Sequence, residues 1–196
     1  MKIQQNILPN DGTAQYFGKI FTEEQRSLYY VKLLEEIHWK HDEVKMFGKD
    51  IITKRKVALY GDEGIAYQYS GKNKTAENWT DLLLEIKSAV EEFSGEKFNA
   101  CLLNLYHNGS EAMNWHSDNE KEILEDSAIA SVSFGAERKF GFRHHSSQEE
   151  ISLMLENGSL LMMKGVIQKY WKHKLFINSK ITEPRVNLTF RTIVNR

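Results

Sequence analysis

The sequence predicts a mainly β fold with flanking helices, a barrel or jelly-roll sandwich preceded by a partly helical N-terminal region. Three observations lead there. From residue 98 onward the chain is a succession of short period-two runs separated by turn residues, the pattern of a closed or doubled sheet. Upstream, two segments carry apolar residues at helical spacing between capping residues. The 196 residues, 41% hydrophobic and 27% charged with 2 prolines, fit one domain or at most two with a sizeable core. No repeat or low-complexity tract points elsewhere.

Residues 1–21 read as an irregular lead-in with a turn at Asn10-Asp11-Gly12. Thr22-Glu23-Glu24-Gln25 reads as a capping box. The helix it opens buries Tyr30, Leu33, Leu34 and Ile37 and ends near Trp39. Residues 44–70 predict hairpins: 44–49 with Gly48 at a turn, then 55–62, then 65–71, where Tyr67 and Tyr69 share a face. A second helix over 80–94 is capped by Thr80, buries Leu83, Ile86, Val90 and Phe93, and stops at Gly95. Strands follow at 98–106, with Asn104 and Tyr106 on one face, then at 128–134, 138–143 and 151–155. Asn157-Gly158 reads as a hairpin turn into a strand at 159–163, and the last strand is 185–191.

A net charge of −1 does not advertise nucleic-acid binding, but the distribution is uneven. Lys45, Lys49, Lys54, Arg55 and Lys56 stand against one acid, Asp50, and residues 164–174 carry Lys164, Lys169, Lys172 and Lys174 with none. Such stretches are either solvated faces or local phosphate-holding surfaces. The single cysteine, Cys101, cannot form an internal disulfide and reads as a small buried strand residue in a reducing interior. The N-terminus lacks the apolar core of a signal peptide, and no apolar run approaches the ~20 residues of a membrane span. The expectation is an intracellular, cytoplasmic protein (nuclear in a eukaryote), off the membrane and monomeric by default.

The chemistry begins at His116-x-Asp118. Side chains two apart in an extended segment share a face, so an imidazole and a carboxylate can take neighbouring positions on a metal. A second histidine would complete a set of two His and one carboxylate with open positions, which suits non-haem Fe(II) that activates oxygen. His173, in Tyr170-Trp171-Lys172-His173-Lys174, is available for that place. In the last strand Val186, Leu188 and Phe190 make one face and Arg185, Asn187, Thr189 and Arg191 the other. That polar face is either solvated or turned into a barrel. Turned inward, its arginines require anionic partners and suit the two ends of a small dicarboxylate, with Asn104 and Tyr106 as neutral donors.

Asn104-x-Tyr106, His116-x-Asp118, His173 and Arg185-x-Asn187-x-Thr189-x-Arg191 stand in the order and spacing of the AlkB family, which the chain resembles from about Leu8 to Ile193. Asn187-Leu188-Thr189-Phe190-Arg191 is a specific motif, and the combination is far more specific than any part. Residues 44–71 and 158–173 look closest to the subgroup that repairs double-stranded DNA. The resemblance implies a single dioxygenase domain over 1–196. Its core would be a double-stranded β-helix (jelly roll) at about 98–195, with N-terminal helices and a nucleotide-recognition lid at about 40–75. It implies Fe(II) on His116, Asp118 and His173, and O2. It also implies 2-oxoglutarate on Asn104, Tyr106, Arg185, Thr189 and Arg191, with Asn187 supporting the pocket. The implied reaction is oxidative demethylation of 1-methyladenine and 3-methylcytosine in DNA, with 2-oxoglutarate decarboxylated to succinate and formaldehyde released. The same chemistry on RNA or a protein side chain is the alternative.

A base methylated on its pairing edge must leave the stack to be reached. By the same resemblance, Tyr67 and Tyr69 line the base pocket with His116 opposite. Phe47 is an intercalating finger flanked by Gly48 and Lys49, Asn119 and Glu120 read the base edge, and Arg55 contacts phosphate or base. One departure is Phe176, where close relatives carry proline shortly after the distal histidine. It alters a loop next to the metal without removing a ligand.

Overall fold

The strands that follow residue 98 are divided between two sheets, and that division builds the pocket. The structure is a computed structural model describing residues 5–46, 49–69 and 72–194, with the backbone alone at 43–46, 49–51, 67–69 and 72–74. In chain order the elements are β1 (Thr13–Lys19), α1 (Glu23–Glu36), β2 (Lys40–Met46), β3 (Lys49–Gly61), β4 (Ala66–Tyr69), β5 (Lys72–Thr75), β6 (Glu77–Asn78) and α2 (Asp81–Ser94). Then come β7 (Ala100–Tyr106), β8 (Met113–His116), β9 (Ile129–Gly135), β10 (Arg138–His144), β11 (Glu150–Leu155), β12 (Ser159–Lys164), α3 (Ile167–Tyr170), β13 (Trp171–Leu175) and β14 (Arg185–Arg191). The major sheet runs β1-β12-β9-β14-β7-β3-β2, with β6 also on β3; the minor sheet runs β11-β10-β13-β8; β4 and β5 pair separately. This is the expected jelly roll with flanking helices.

The helices cover the back of the major sheet. Tyr29, Leu33 and Ile37 of α1 and Leu83, Ile86 and Val90 of α2 join Val186, Leu188 and Phe190 of β14 in one buried cluster. A second cluster, with Tyr106, Phe142, Leu161 and Trp171, lies between the sheets. Strand β14 is therefore buried on both faces. Its polar face points into the fold, which settles the alternative left open above.

The capping box forms: Gln25 N donates to Thr22 Oγ1 at 3.3 Å and Thr22 N to Gln25 Oε1 at 3.0 Å. The helix ends at Glu36 and not near Trp39, because Ile37 is extended and the Trp39 indole donates to Leu33 O at 3.1 Å. At the second helix Thr80 caps and Gly95 stops the chain at φ 73°. Phe93, expected in its stripe, is 42% exposed; Phe98, 4% exposed, fills the core beyond the turn and lies 6.1 Å from Phe190.

The lead-in is not irregular throughout. β1 pairs with β12, but a shift between Tyr16 and Gly18 breaks the alternation that would have revealed a strand. β3 begins at Lys49, earlier than the strand expected at 55–62, and its pairing with β2 and β7 puts these strands at the edge of the major sheet. The turn at Asn157-Gly158 exists, with Gly158 at φ 79°, but it closes no hairpin. It carries the chain from β11 in the minor sheet to β12 in the major sheet, held there by Gly158 N to Ser133 O at 2.7 Å. Cys101 is fully buried, and burial pushes its thiol up. No helix among the described residues is long and apolar enough to cross a membrane.

Candidate active site

The polar face of β14 forms one wall of a narrow cavity of about 50 Å³ between the sheets. Its ladder partners are β7 and β9, so Asn187 lies opposite Asn104 on one side and Ser133 on the other, and Arg185 opposite Tyr106. Asn187 Nδ2 donates to Ser131 Oγ and Val132 O, both at 2.9 Å, and Thr189 Oγ1 donates to Asn187 Oδ1 at 3.2 Å. Asn187 is thus spent on holding the wall. Arg185 Nη2 donates to Ser133 Oγ at 2.9 Å, and its guanidinium lies 5.5 Å from the Tyr106 ring centre.

Arg185 Nε and Asn104 Oδ1 are buried without a hydrogen-bond partner among the described residues. Leaving such atoms unpaired costs on the order of 1–3 kcal/mol each, so the wall is built for a polar occupant. Burial lowers Arg185 to about 10, with Tyr106 opposing and Arg138 adding. It stays cationic at neutral pH and suits a carboxylate. Arg138, 1% exposed, donates to the carbonyls of Asn108, Gly109, Glu111 and Phe176 at 2.7–3.3 Å and ties the loop after β7 to the end of β13. The sequence reading passed over Arg138, Ser131 and Ser133. Ser131-x-Ser133, two hydroxyls on one face of an apolar strand, was the available signal.

The metal set lies across the cavity. His173 of β13 stands opposite His116 of β8, with ring centroids 4.2 Å apart. Asp118, just past the end of β8, brings an oxygen to 3.9 Å from His116 Nε2. Ligand atoms of His116, Asp118 and His173 all lie within 4.8 Å of one another. His116 Nδ1 lies 2.7 Å from Asn114 O. A carbonyl only accepts, so the proton sits on Nδ1 and Nε2 keeps its lone pair.

Burial disfavours ionised Asp118, but Arg191, whose Nη2 is 3.0 Å from its Oδ1, together with His173 and His116 pulls the carboxyl down to about 2. Burial, followed by His116, holds His173 down at about 3 against the attraction of Asp118. An ionised Asp118, a neutral His173 and a His116 ring whose Nδ1 is engaged by Asn114 O make a donor set that suits Fe(II), so these residues fit the metal. Arg191 joins the two walls.

The remaining predicted residues lie around this centre. Asn119 is exposed. Glu120 is half-buried with Oε2 unpartnered among the described residues. Burial and the charge on Asp118 raise its pKa, against the pull of Arg191. Both line a larger cavity of about 580 Å³ beside Asp118. Arg55 is 6% exposed, ion-paired with fully buried Asp42, and has Nη1 3.5 Å from Met113 Sδ, so it sits in the wall beside the cavity. Tyr67 and Tyr69 lie on β4 at period two, and Lys49 opens β3. Phe47 and Gly48 lie outside the described residues.

Phe176 turns away from the metal set: its ring meets Trp115 edge-on at 5.9 Å and lies under Lys139 and Lys174 on the outer face of the minor sheet. Gly141 makes room for it, since a Cβ there would come 2.7 Å from the ring. Arg143 lies opposite Lys172 on the same outer face.

The model of the 2OG-Fe(II) oxygenase superfamily matches residues 13–191, which defines the class: an Fe(II)- and 2-oxoglutarate-dependent dioxygenase. The chain is 40% identical over 185 residues to the DNA oxidative demethylase ALKBH2 of Mus musculus, covering 90% of this chain and 74% of that one. It is 41% identical over 159 residues to ALKBH2 of Homo sapiens, covering 77% of this chain and 61% of that one. It is 34% identical over 177 residues to the alpha-ketoglutarate-dependent dioxygenase alkB homolog 3 of Bos taurus, covering 84% and 60%. Against the solved structure of OsALKBH1 the TM-score is 0.64 at 14% identity, over 96% of this chain and 99% of that one, a likeness of fold. The chain belongs to the AlkB family of 2OG-Fe(II) oxygenases.

Proposed function

We propose that this dioxygenase removes methyl groups from the pairing edges of bases in DNA, with 1-methyladenine and 3-methylcytosine as substrates, in repair of alkylation damage. The observation that carries the reading is the joining of the two walls: Arg191 reaches from the co-substrate strand to Asp118, with polar atoms of Arg185 and Asn104 still unpartnered among the described residues. The likeness to the ALKBH2 proteins named above, over most of this chain, supports DNA as the substrate.

His116, Asp118 and His173 hold Fe(II). Arg185, Tyr106 and Asn104 bind one carboxylate of 2-oxoglutarate, and Thr189 and Arg191 line the path toward the metal. The chemistry supplied by the bound metal is decarboxylation of 2-oxoglutarate to succinate coupled to hydroxylation of the N-methyl carbon, whose product sheds formaldehyde. The protein positions, charges and shields. Arg191 keeps Asp118 ionised, Asn114 fixes the His116 tautomer, and burial keeps His173 neutral.

Residues 40–75 act as the lid over the flipped base. Tyr67 and Tyr69 stack on it, Asn119 and Glu120 read its edge from beside Asp118, and Phe47 fills the vacated stack with Gly48 and Lys49 beside it. Arg55 shapes the pocket through Asp42 and Met113. Cations on the outer face of the minor sheet suit phosphates. The protein acts as a monomer in a reducing compartment.

The test is formaldehyde release from 3-methylcytosine in single- and double-stranded DNA, in RNA and in a methylated peptide, with Fe(II), 2-oxoglutarate and ascorbate, and with His116→Ala as control. Release from DNA that requires every component is the expected result; activity on peptide or RNA alone would overturn the substrate. Phe47→Ala should lower turnover of duplex several-fold more than of single strands. Equal losses would remove the finger.

A further inference from the structure

We propose that Gln168 is a positioning residue for the metal site, fastening the backbone of Asp118 to the short helix that leads into the strand of His173. The inference rests on His116, Asp118 and His173 being the Fe(II) ligands. It starts from a gap in the sheet. β8 ends at His116, where it still pairs with His173, and the β8–β13 ladder is already shifted between His173 and Leu175. Ser117 and Asp118 lie beyond the ladder, so their polar groups need partners from elsewhere.

One corner of the fold supplies them. Asp118 N donates to Gln168 Oε1 at 2.9 Å, and Ser117 Oγ donates to Trp171 O at 3.0 Å. A backbone N–H only donates, so the amide of Gln168 must present its oxygen to Asp118. Its Nε2 then faces Met163 Sδ at 3.9 Å. The corner is itself anchored: Trp171 is fully buried and its indole donates to Asn10 O at 3.1 Å. Trp171 stands two residues before His173. The turn of α3 into β13 therefore sets His173 through the chain and Asp118 through a side chain.

Gln168 also borders the larger cavity beside Asn119 and Glu120, which suggests a ligand contact instead. Its oxygen already accepts from Asp118 N and its Nε2 faces Met163 Sδ, so both ends of the amide are engaged by the protein. Groups that orient metal ligands from behind typically change metal affinity by about ten- to a hundredfold when lost.

The experiment is titration of Co(II) into anaerobic metal-free protein, followed by visible absorbance, for wild type, Gln168→Leu, Gln168→Glu and Gln168→Asn. The Leu and Asn variants remove or withdraw the acceptor and should weaken Co(II) at least about tenfold. The Glu variant keeps it and should stay within about threefold of wild type. The KM for 2-oxoglutarate should not move in any of them. Two results overturn the proposal: unchanged Co(II) affinity in the Asn variant, or a Glu variant as weak as the Leu variant. If the Leu variant fails to fold, the Asn and Glu pair decides alone. Failure of the wild type to bind Co(II) would overturn the metal reading itself, and is distinct from equal binding by every variant.

Discussion

The two walls of the cavity are built by different means. The wall proposed to hold the co-substrate is a single strand, β14, paired on both sides by β7 and β9, so Arg185, Asn187 and Thr189 are placed by the ladder itself. The metal wall is an edge. β8 pairs with β13 at His116 and at Met113, and Asp118 lies past its end. There, hydrogen bonds that involve side chains do what backbone pairing does opposite: Gln168 on Asp118 N, Ser117 Oγ on Trp171 O, Arg191 on the carboxylate. A strand held on two sides needs little else to keep its side chains in register. A strand end needs straps, and each strap is a point at which the site can be loosened.

The sharpest way to break this contrast is at the ligand shared by both walls. Asp118→Ala should abolish formaldehyde release, by more than about a hundredfold given that even supporting groups matter ten- to a hundredfold, and should abolish Co(II) binding. Removal also takes from Arg191 that buried carboxylate, so the affinity of the metal-free protein for 2-oxoglutarate, read by calorimetry, should change as well. An unchanged affinity would separate the walls.

Next in size is Arg185→Met. Loss of a charge-assisted hydrogen bond of roughly 1.5–3 kcal/mol should raise the KM for 2-oxoglutarate about ten- to a hundredfold. Co(II) affinity should stay unchanged, because the metal wall does not depend on it. Equal loss of both would show that the walls are one unit.

The smallest effect lies in the scaffold behind the co-substrate wall. Glu91 of α2 accepts from Phe98 N at 3.1 Å and from Lys97 and Lys87 at 2.6 and 3.0 Å, pinning the helix to the start of β7. Burial raises its pKa, but these partners outweigh burial and leave it lowered from 4.5. A carboxyl with a depressed folded pKa contributes stability above its unfolded value and loses it as pH falls through the folded one. Glu91→Gln should therefore cost about 1 kcal/mol at pH 7, measured by urea unfolding, and the difference from wild type should shrink as the pH falls below the unfolded value and through the lower folded one. A difference that persists in acid would assign the cost to packing.

The candidate site was legible where it was local. Asn104-x-Tyr106, His116-x-Asp118 and the Arg185–Arg191 alternation each sit within a few residues, and period two alone puts their side chains on one face. The fold class was legible for the same reason, since a strand's alternation is written in its own residues. Legibility failed where two elements far apart in sequence meet. The strand at 13–19 is hidden by a bulge that only its partner β12 explains. The turn at Asn157-Gly158 has a local signature, but whether it joins neighbours in one sheet or crosses between two depends on where β9 and β10 lie.

The sequence by itself determined the donor set: two imidazoles, a carboxylate, and arginines on one strand face, because side-chain chemistry and backbone period do not need a partner to be read. Only the tertiary structure decided that the polar face of β14 looks inward, that Arg191 pairs with Asp118, and that Gln168 and Trp171 hold the turn between the ligands. Those are properties of burial and of hydrogen bonds across dozens of residues, and no short-range pattern carries them.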